Sequence, residues 1–348
     1  MTDTTSVEVP ERTGWNSDEG RKGLRVALAV AVGFTWSVVS GAIIPFLGPV
    51  FAAQFLLASD KPMPAGKVIG MLILIIAASA VVETMVALTG ERPVIIVILM
   101  GLLYFPCFYL LAAGKGGPAG FVIIIIGIMG PLLGIMNRDL GESVLSLLLK
   151  GVLTGAVLMW FAHALIPSRA TAEAAPPPAK RPYKPVRLAL ANTAILLFTM
   201  VTCLTNDNLS TSIVIPVTVA SLLNQLDVAA SGKAAIGIVL VNLLGGILAC
   251  VAFTYLEARH SVPFLFLTTL IAGLLIGGNA ARPGPSAKVF AGTLTIYLVV
   301  LGLSLSPLPG TASETFSTRI VSIMFAIVLV LVLAPILWPR RQPESEAS

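Results

Sequence analysis

The chain has 348 residues, of which 56% are hydrophobic and only 11% charged. Soluble chains carry about 25% charged residues, so this one has too little charge to cover a water-facing exterior, and lipid must solvate it. The net charge of +5 would point to nucleic acid in a soluble protein, but here the positions of the charges explain it and no nucleic-acid partner is expected.

In chain order, residues 1–20 are polar (Ser6, Glu8, Glu11, Asp18, Glu19) and lack the basic, apolar, small-residue order of a cleavable signal. A hydrocarbon core takes about twenty apolar residues as helix. Apolar runs bounded by charges, Pro or Gly fall at 24–40, 43–58, 67–89, 93–113, 118–136 and 144–166, then at 186–204, 209–225, 233–256, 262–279, 288–305 and 319–338. The expected fold is all-α, a polytopic membrane protein of about twelve transmembrane helices. The second and eighth runs are short and contain Pro45, Pro49 and Pro216, so tilt, a kink or partial re-entry is expected there. Between the sixth and seventh runs, residues 168–185 are rich in Ala, Pro and basic residues and predict an extended tether. The expected organisation is a polar N-terminus (1–20), a first six-helix repeat (21–167), the tether (168–185), a second six-helix repeat (186–339) and a polar tail (340–348).

Charge gives these runs an orientation. With the N-terminus in the cytoplasm and every run crossing once, 17 of the 22 Lys and Arg residues fall inside. Only Arg92, Arg138, Arg259 and Arg319 fall outside, and Lys150 lies within a run. Such a bias is the main determinant of membrane orientation. Both termini are therefore expected in the cytoplasm of a bacterial inner-membrane protein.

The two sets of runs resemble one another. Leu24-Arg25-Val26-Ala27-Leu28-Ala29 opens the first and Val186-Arg187-Leu188-Ala189-Leu190-Ala191 the seventh. Pro49 and Pro216, Asp60 and Asp227, and Gly117-Pro118 and Gly284-Pro285 each stand 167 residues apart. Gly66-Lys67 and Gly232-Lys233 share an offset of 166 with Glu91 and Glu257. Pro167 and Pro339 share an offset of 172 with Glu142-Ser143 and Glu314-Thr315. An even number of crossings per copy makes the copies parallel, with a cavity between them.

The Leu/Val-Arg-x-Ala-Leu-Ala openings, the proline-bearing second run, the Gly-Lys start of the third and the closing Arg319…Leu337-Trp338-Pro339 resemble the fusaric-acid-resistance and aromatic-acid-exporter superfamily, in a short form without a large soluble domain. The resemblance covers about 21–169 and 183–341. It implies a proton-driven exporter of small organic or aromatic acids that works with a periplasmic adaptor protein.

Ionisable groups within membrane runs are costly and mark candidate sites. Glu83, in the third run, is a candidate proton carrier; the competing reading is an interfacial carboxylate paired with Arg92. Lys150, in the sixth, needs a carboxylate or an anionic substrate, and Asp139 and Glu142 precede it. Arg319 is a candidate carboxylate ligand or a partner of Glu314. Asp207 is read first as a helix cap, and Asn242 as an interhelical hydrogen-bonding group. Glu142 and Glu314 also suit helix starts. Gly151-x-x-x-Gly155, Gly273-x-x-x-Gly277 and Gly245-Gly246 predict close helix packing. Trp36 and Trp160 are read as interfacial side chains ahead of an aromatic-stacking role, and His163 as interfacial. Cys107, Cys203 and Cys250 lie in apolar runs and are read as buried thiols.

There is no GxxxxGK[ST], GxSxG or HExxH string, so neither an ATPase motor, an enzyme nor a cofactor is expected. The leading expectation is a secondary, proton-coupled efflux transporter with lipid and small organic acids as its partners; an adaptor protein and a second copy of the chain are further candidates. The alternative is a scaffold or accessory subunit of an efflux assembly that transports nothing alone.

Overall fold

A computed structural model describes residues 17–89, 93–114, 117–136, 138–168, 185–205, 214–226, 232–259, 261–306 and 316–338. These residues form twelve helices and no strand. They are α1 (Asp18–Val39), α2 (Leu47–Ala58), α3 (Ala65–Thr89), α4 (Pro93–Ala112), α5 (Gly117–Met136), α6 (Arg138–Leu165), α7 (Pro185–Thr205), α8 (Val214–Leu226), α9 (Gly232–Ala258), α10 (Val262–Ala280), α11 (Pro285–Ser304) and α12 (Phe316–Leu337). Each sits on one of the apolar runs of the sequence.

Seven of them, α1, α3, α4, α6, α7, α10 and α11, are long and apolar enough to cross a membrane. Large apolar side chains stand on the outside: Val94 and Leu102 are each 70% exposed and Ile98 65%. Contiguous apolar surface of this kind marks an apolar neighbour, which is what a multi-pass membrane protein has in lipid. α2 is short. It has 12 residues, about 18 Å at 1.5 Å per residue, and described non-helical chain flanks it on both sides.

Local signals account for several helix ends. Ser17 caps α1, its side chain accepting from Gly20 N at 3.0 Å, with Asp18 and Glu19 in the first turn. Beyond α1 the chain turns at Gly41, whose φ of 70° favours glycine. α6 starts at Arg138, six residues before its apolar run, so the backbone of Asp139 and Glu142 lies in the opening turns of the helix. Those turns are where a carboxylate complements the helix dipole.

The extensively packed pairs within α1–α6 are α1–α2, α1–α6, α2–α6, α3–α4, α3–α5, α3–α6, α4–α5 and α5–α6. Within α7–α12 they are α7–α8, α7–α12, α8–α12, α8–α9, α8–α11, α9–α10, α9–α11, α9–α12 and α10–α11. Four pairs join the sets: α1–α10, α4–α7, α2–α11 and α5–α8.

Glycine permits the closest of these approaches. A Cβ on Gly155 of α6 would lie 2.6 Å from Phe51 Cβ on α2, and one on Gly151 2.8 Å from Leu47 Cβ. At the α1–α10 contact a Cβ on Gly273 would lie 2.8 Å from Ala27 Cα, and one on Gly23 2.9 Å from Gly278 Cα. On α9, a Cβ on Gly245 would lie 2.7 Å from Thr293 Cγ2 on α11. The spaced glycines thus pack as the sequence predicts. Helix α10 also changes winding to a π-turn over Gly273–Gly277, beside α1, and π-turns of this kind often mark functional positions.

Prolines inside α4 and α5 need compensation. Pro131 has no N–H, which frees the Gly127 carbonyl one turn earlier. The hydroxyl of the fully buried Tyr104, on α4, donates to that carbonyl at 2.9 Å. The absence of a side chain on Gly127 makes room for the ring, since a Cβ there would lie 2.8 Å from Tyr104 Cε1. In hydrocarbon an unmet carbonyl is costly, so sequence, packing and stability meet at this contact. Tyr104→Phe is expected to lower unfolding stability by about 1–2 kcal/mol. In a Pro131→Ala background, where the restored N–H serves Gly127, the same change should cost less than about half that; thermal unfolding of the four proteins in detergent measures the cycle.

Candidate functional site

The densest polar cluster among the described residues lies at the end of the bundle where α1 begins and α6 finishes. Arg25 opens the apolar face of α1 and is 3% exposed. Its Nε donates to Arg21 O at 3.4 Å and its Nη1 to Asp60 O at 3.3 Å. Lys22 Nζ lies 2.9 Å from Asp60 Oδ1. Asp60 stands in the connector between α2 and α3, so both its carboxylate and its carbonyl fasten that connector to α1.

Helix α6 holds the same connector from the other side. Trp160 Nε1 donates to Met63 O at 3.0 Å, and Met63 N donates to Met159 Sδ at 3.4 Å. His163 is buried, with Nδ1 2.9 Å from Met159 O and Nε2 3.3 Å from Asp60 O. A neutral imidazole has one N–H and so serves one of these two carbonyls; an imidazolium serves both. Arg21 Nη2 donates to Pro167 O at 2.9 Å, tying the end of α6 back to α1. A corresponding tie joins α12 to α7, where Trp338 Nε1 donates to the buried Asn192 Oδ1 at 2.9 Å. The chemistry of this cluster is that of a fastened helix end, in which Arg21 Nε alone of the named donors is buried without a hydrogen-bond partner.

The residues singled out in the sequence do not gather here. Glu83 is exposed on α3, near the exposed Val81 and Val86. Lys150 is exposed on α6, on the stripe that continues through Leu153 and Val157. Asp207 lies outside the described residues, as do the side chains of Asp139, Glu142, Asn242 and Arg319, whose backbones are helical. Trp36 is 67% exposed and Trp160 36%, both at the surface where interfacial side chains belong. The three cysteines are buried and form no disulfide.

A small cavity between α3, α4 and α5 is lined by Val82, Met85, Ile96, Met100, Gly127 and Pro131, among other apolar residues. It presents no charge, so it suits hydrocarbon and not a carboxylate. Elsewhere Thr35 Oγ1, Ser79 Oγ, Thr193 Oγ1 and Tyr297 Oη are buried without a hydrogen-bond partner. Such atoms are rare in folded proteins and call for a water, an ion or a ligand.

The sequence reading missed Arg25, Asp60 and His163 as a group. Two signals for it were present: a lone arginine at the head of an apolar run, and an aspartate that recurs at position 227. The link to His163 spans 103 residues and has no local signature.

Residues 22–162, from the first turns of α1 to near the end of α6, match a family model described as Protein of unknown function (DUF2955). No curated protein matches the chain, and no solved structure matches it.

The cluster separates two kinds of interaction. Arg25→Met removes a buried guanidinium that serves two carbonyls and should cost about 1.5–3 kcal/mol. Asp60→Asn removes only a carboxylate on a side chain that is 55% exposed, and should cost under about 1 kcal/mol. Thermal midpoints of the purified proteins, compared at two salt concentrations, distinguish them, because only the second effect should shrink with salt.

Proposed function

We propose that the chain is a secondary transporter that exports small organic acids, aromatic acids among them, across a bacterial inner membrane in exchange for protons. The observation that carries this reading is the short helix α2 with Pro49 at its third position. It is matched 167 residues on by α8, described over Val214–Leu226, with Pro216 at its third position. Short, proline-bearing apolar segments at corresponding places in two halves point to a substrate site in transporters.

The architecture belonging to this reading is two parallel six-helix halves that cross the membrane twelve times, with both termini in the cytoplasm. Its support lies in the packing pattern. Adding six to each helix number carries every extensive pairing within α1–α6 except α5–α6 onto one within α7–α12. The joining pairs obey the same rule: α1–α10 answers α7–α4, and α2–α11 answers α8–α5. A twofold axis along the membrane normal accounts for both. The family match, ending near the close of α6, covers one such unit. The 17-to-4 distribution of basic residues supports the orientation.

The substrate class rests on the resemblance of both halves to the fusaric-acid-resistance and aromatic-acid-exporter superfamily. Buried hydroxyls without partners on α1, α3, α7 and α11 are polar groups that a passage between the helices would use. We assign proton uptake to Asp139 and Glu142 at the start of α6, and substrate carboxylate contact to Arg319 at the start of α12. A periplasmic adaptor would dock at the face where those helices start. The second reading, a scaffold or accessory subunit of an efflux assembly, draws its support from Glu83 and Lys150, whose charges stand on the outer surface of the single chain.

Inverted membrane vesicles containing the protein should accumulate labelled aromatic acids when their lumen is acidic. Dissipating the pH gradient should reduce the initial rate at least about tenfold, and Asp139→Asn combined with Glu142→Gln should do the same with the gradient intact. Uptake unaffected by the gradient would remove proton exchange, and no uptake by the purified, reconstituted chain would favour the scaffold reading.

A further inference from the structure

Helix α10 meets α1 through a stretch wound differently from its flanks. Val262–Ala272 and Gly278–Ala280 are α-wound, and Gly273–Gly277 between them form the π-turn. This stretch lies against one turn of α1. A Cβ on Gly273 would meet Ala27 Cα at 2.8 Å, one on Gly277 would meet Val26 Cγ1 at 2.9 Å, and one on Gly23 would meet Gly278 Cα at 2.9 Å. At about 100° per residue, α winding would put Gly278 about 140° round the helix from Gly273. Both could not then touch α1. The longer i→i+5 period of the π-turn brings them to one face, so the α1 contact and the π winding require each other.

The segment that a return to α winding would turn is short and has room to move. It comprises Gly278–Ala280, after which the chain runs through Ala281, Arg282 and Pro283 to Gly284, whose φ is 132°. A Cβ built on Gly278 meets nothing within 4 Å. The related contact between α4 and α7 is built differently. There α4 is α-wound from Pro93 to Ala112, and a Cβ on Gly101 would meet only the end of the Leu197 side chain, at 3.0 Å.

The turn of α1 that carries Gly23, Val26 and Ala27 also carries Arg25, and Lys22 precedes it. Lys22 and Arg25 hold Asp60, two residues beyond the end of α2. One series of contacts therefore runs from the π-turn through α1 to the Asp60 connector and α2. Such a series transmits a change when one of its members has two discrete arrangements.

We propose that the π-turn of α10 is a two-state joint. In its π winding it seats Gly278 against Gly23 and holds α1, the Asp60 connector and α2 together. In α winding it turns Gly278 about 100° away and releases all three. The inference concerns how the fold moves, so it stands apart from the transport reading and is tested without a transport assay.

The test uses the full chain in lipid nanodiscs, followed by thermal unfolding and by hydrogen exchange of the α2 amides. Deleting Leu275, a π-turn residue that is 64% exposed, removes the residue by which the turn exceeds α winding. The flanks then keep their faces, and no second winding is left. The thermal midpoint should stay within about 3 °C of wild type, and exchange of the α2 amides should slow at least about fivefold. Deleting Leu267 instead, exposed in the α-wound part of the same helix, turns one flank about 100° against the other. That deletion should lower the midpoint by about 8 °C or more.

Gly23→Ala places a methyl group where Gly278 sits and drives the joint to its α winding. It should quicken exchange in α2 at least about tenfold, whereas Gly101→Ala, at the α4–α7 contact, should leave it within about twofold of wild type. A Leu275 deletion as damaging as the Leu267 deletion would overturn the proposal. So would unchanged α2 exchange in a stable Leu275 deletion, or a response to Gly101→Ala as large as that to Gly23→Ala.

Discussion

In hydrocarbon, every backbone N–H and C=O must find its partner within the protein, and the rest of this structure depends on that constraint. It makes helices the only available element for these apolar runs. It also sets the cost of each irregularity. Pro131 opens a gap in the ladder of α5, and the Tyr104 hydroxyl fills it from α4. That solution requires a close approach of the two helices, which in turn requires Gly127 to have no side chain. Four threonine and serine hydroxyls follow the same rule on a smaller scale. Thr199, Thr269, Thr293 and Ser304 each donate to the carbonyl four residues earlier, so none places an unmet donor in the apolar interior.

The second consequence concerns how the helices associate. Lipid tails are as apolar as leucine, so burying leucine adds little drive between helices, and close van der Waals contact must do more. The closest contacts are accordingly made by small residues: Gly151 and Gly155 under α2, Gly273 and Gly277 against α1, and Gly245 against Thr293. Two of these helix pairs position features of the proposed transporter. The α2–α6 contact holds the short proline-bearing helix. The α1–α10 contact joins the two sets of helices, and there α10 winds as a π-turn. A pair of helices held at backbone distance transmits small displacements directly, because no flexible side chain intervenes.

Much of this was legible in the sequence, for physical reasons that also mark the limit. Apolar runs found all twelve helices because lipid selects for length and hydropathy together. The GxxxG spacings found two close contacts because residues four apart share a helix face. The start of α6 was read six residues late because Arg138, Asp139 and Glu142 break the apolar run, while the helix itself tolerates charge in its first turns. The π-turn was illegible: Gly273-Leu274-Leu275-Ile276-Gly277 reads like any apolar helix, and its winding responds to α1, which lies some 250 residues earlier in the chain. The place of His163 in the Arg25–Asp60–His163 cluster was illegible for a related reason. His163 looked interfacial because its nearest sequence neighbours are apolar, and its polar contact comes from a connector distant in sequence.

Glu83 and Lys150 show where sequence logic and structure part company most usefully. Within a membrane run, a charge calls for a partner, and the sequence supplies only local ones, of which Arg92, Asp139 and Glu142 are the nearest. The fold turns both side chains outward instead. Outward charge cannot be explained by the packing of a single chain, whose interior is served by hydroxyls, carbonyls and glycine contacts. The clamp at the start of α1 illustrates the converse: Arg25 carries as much charge as Lys150, but carbonyls from two parts of the chain receive it. A charge satisfied inside the fold fixes the protomer. A charge left on the outer surface, like that of Lys150, fixes nothing inside the protomer.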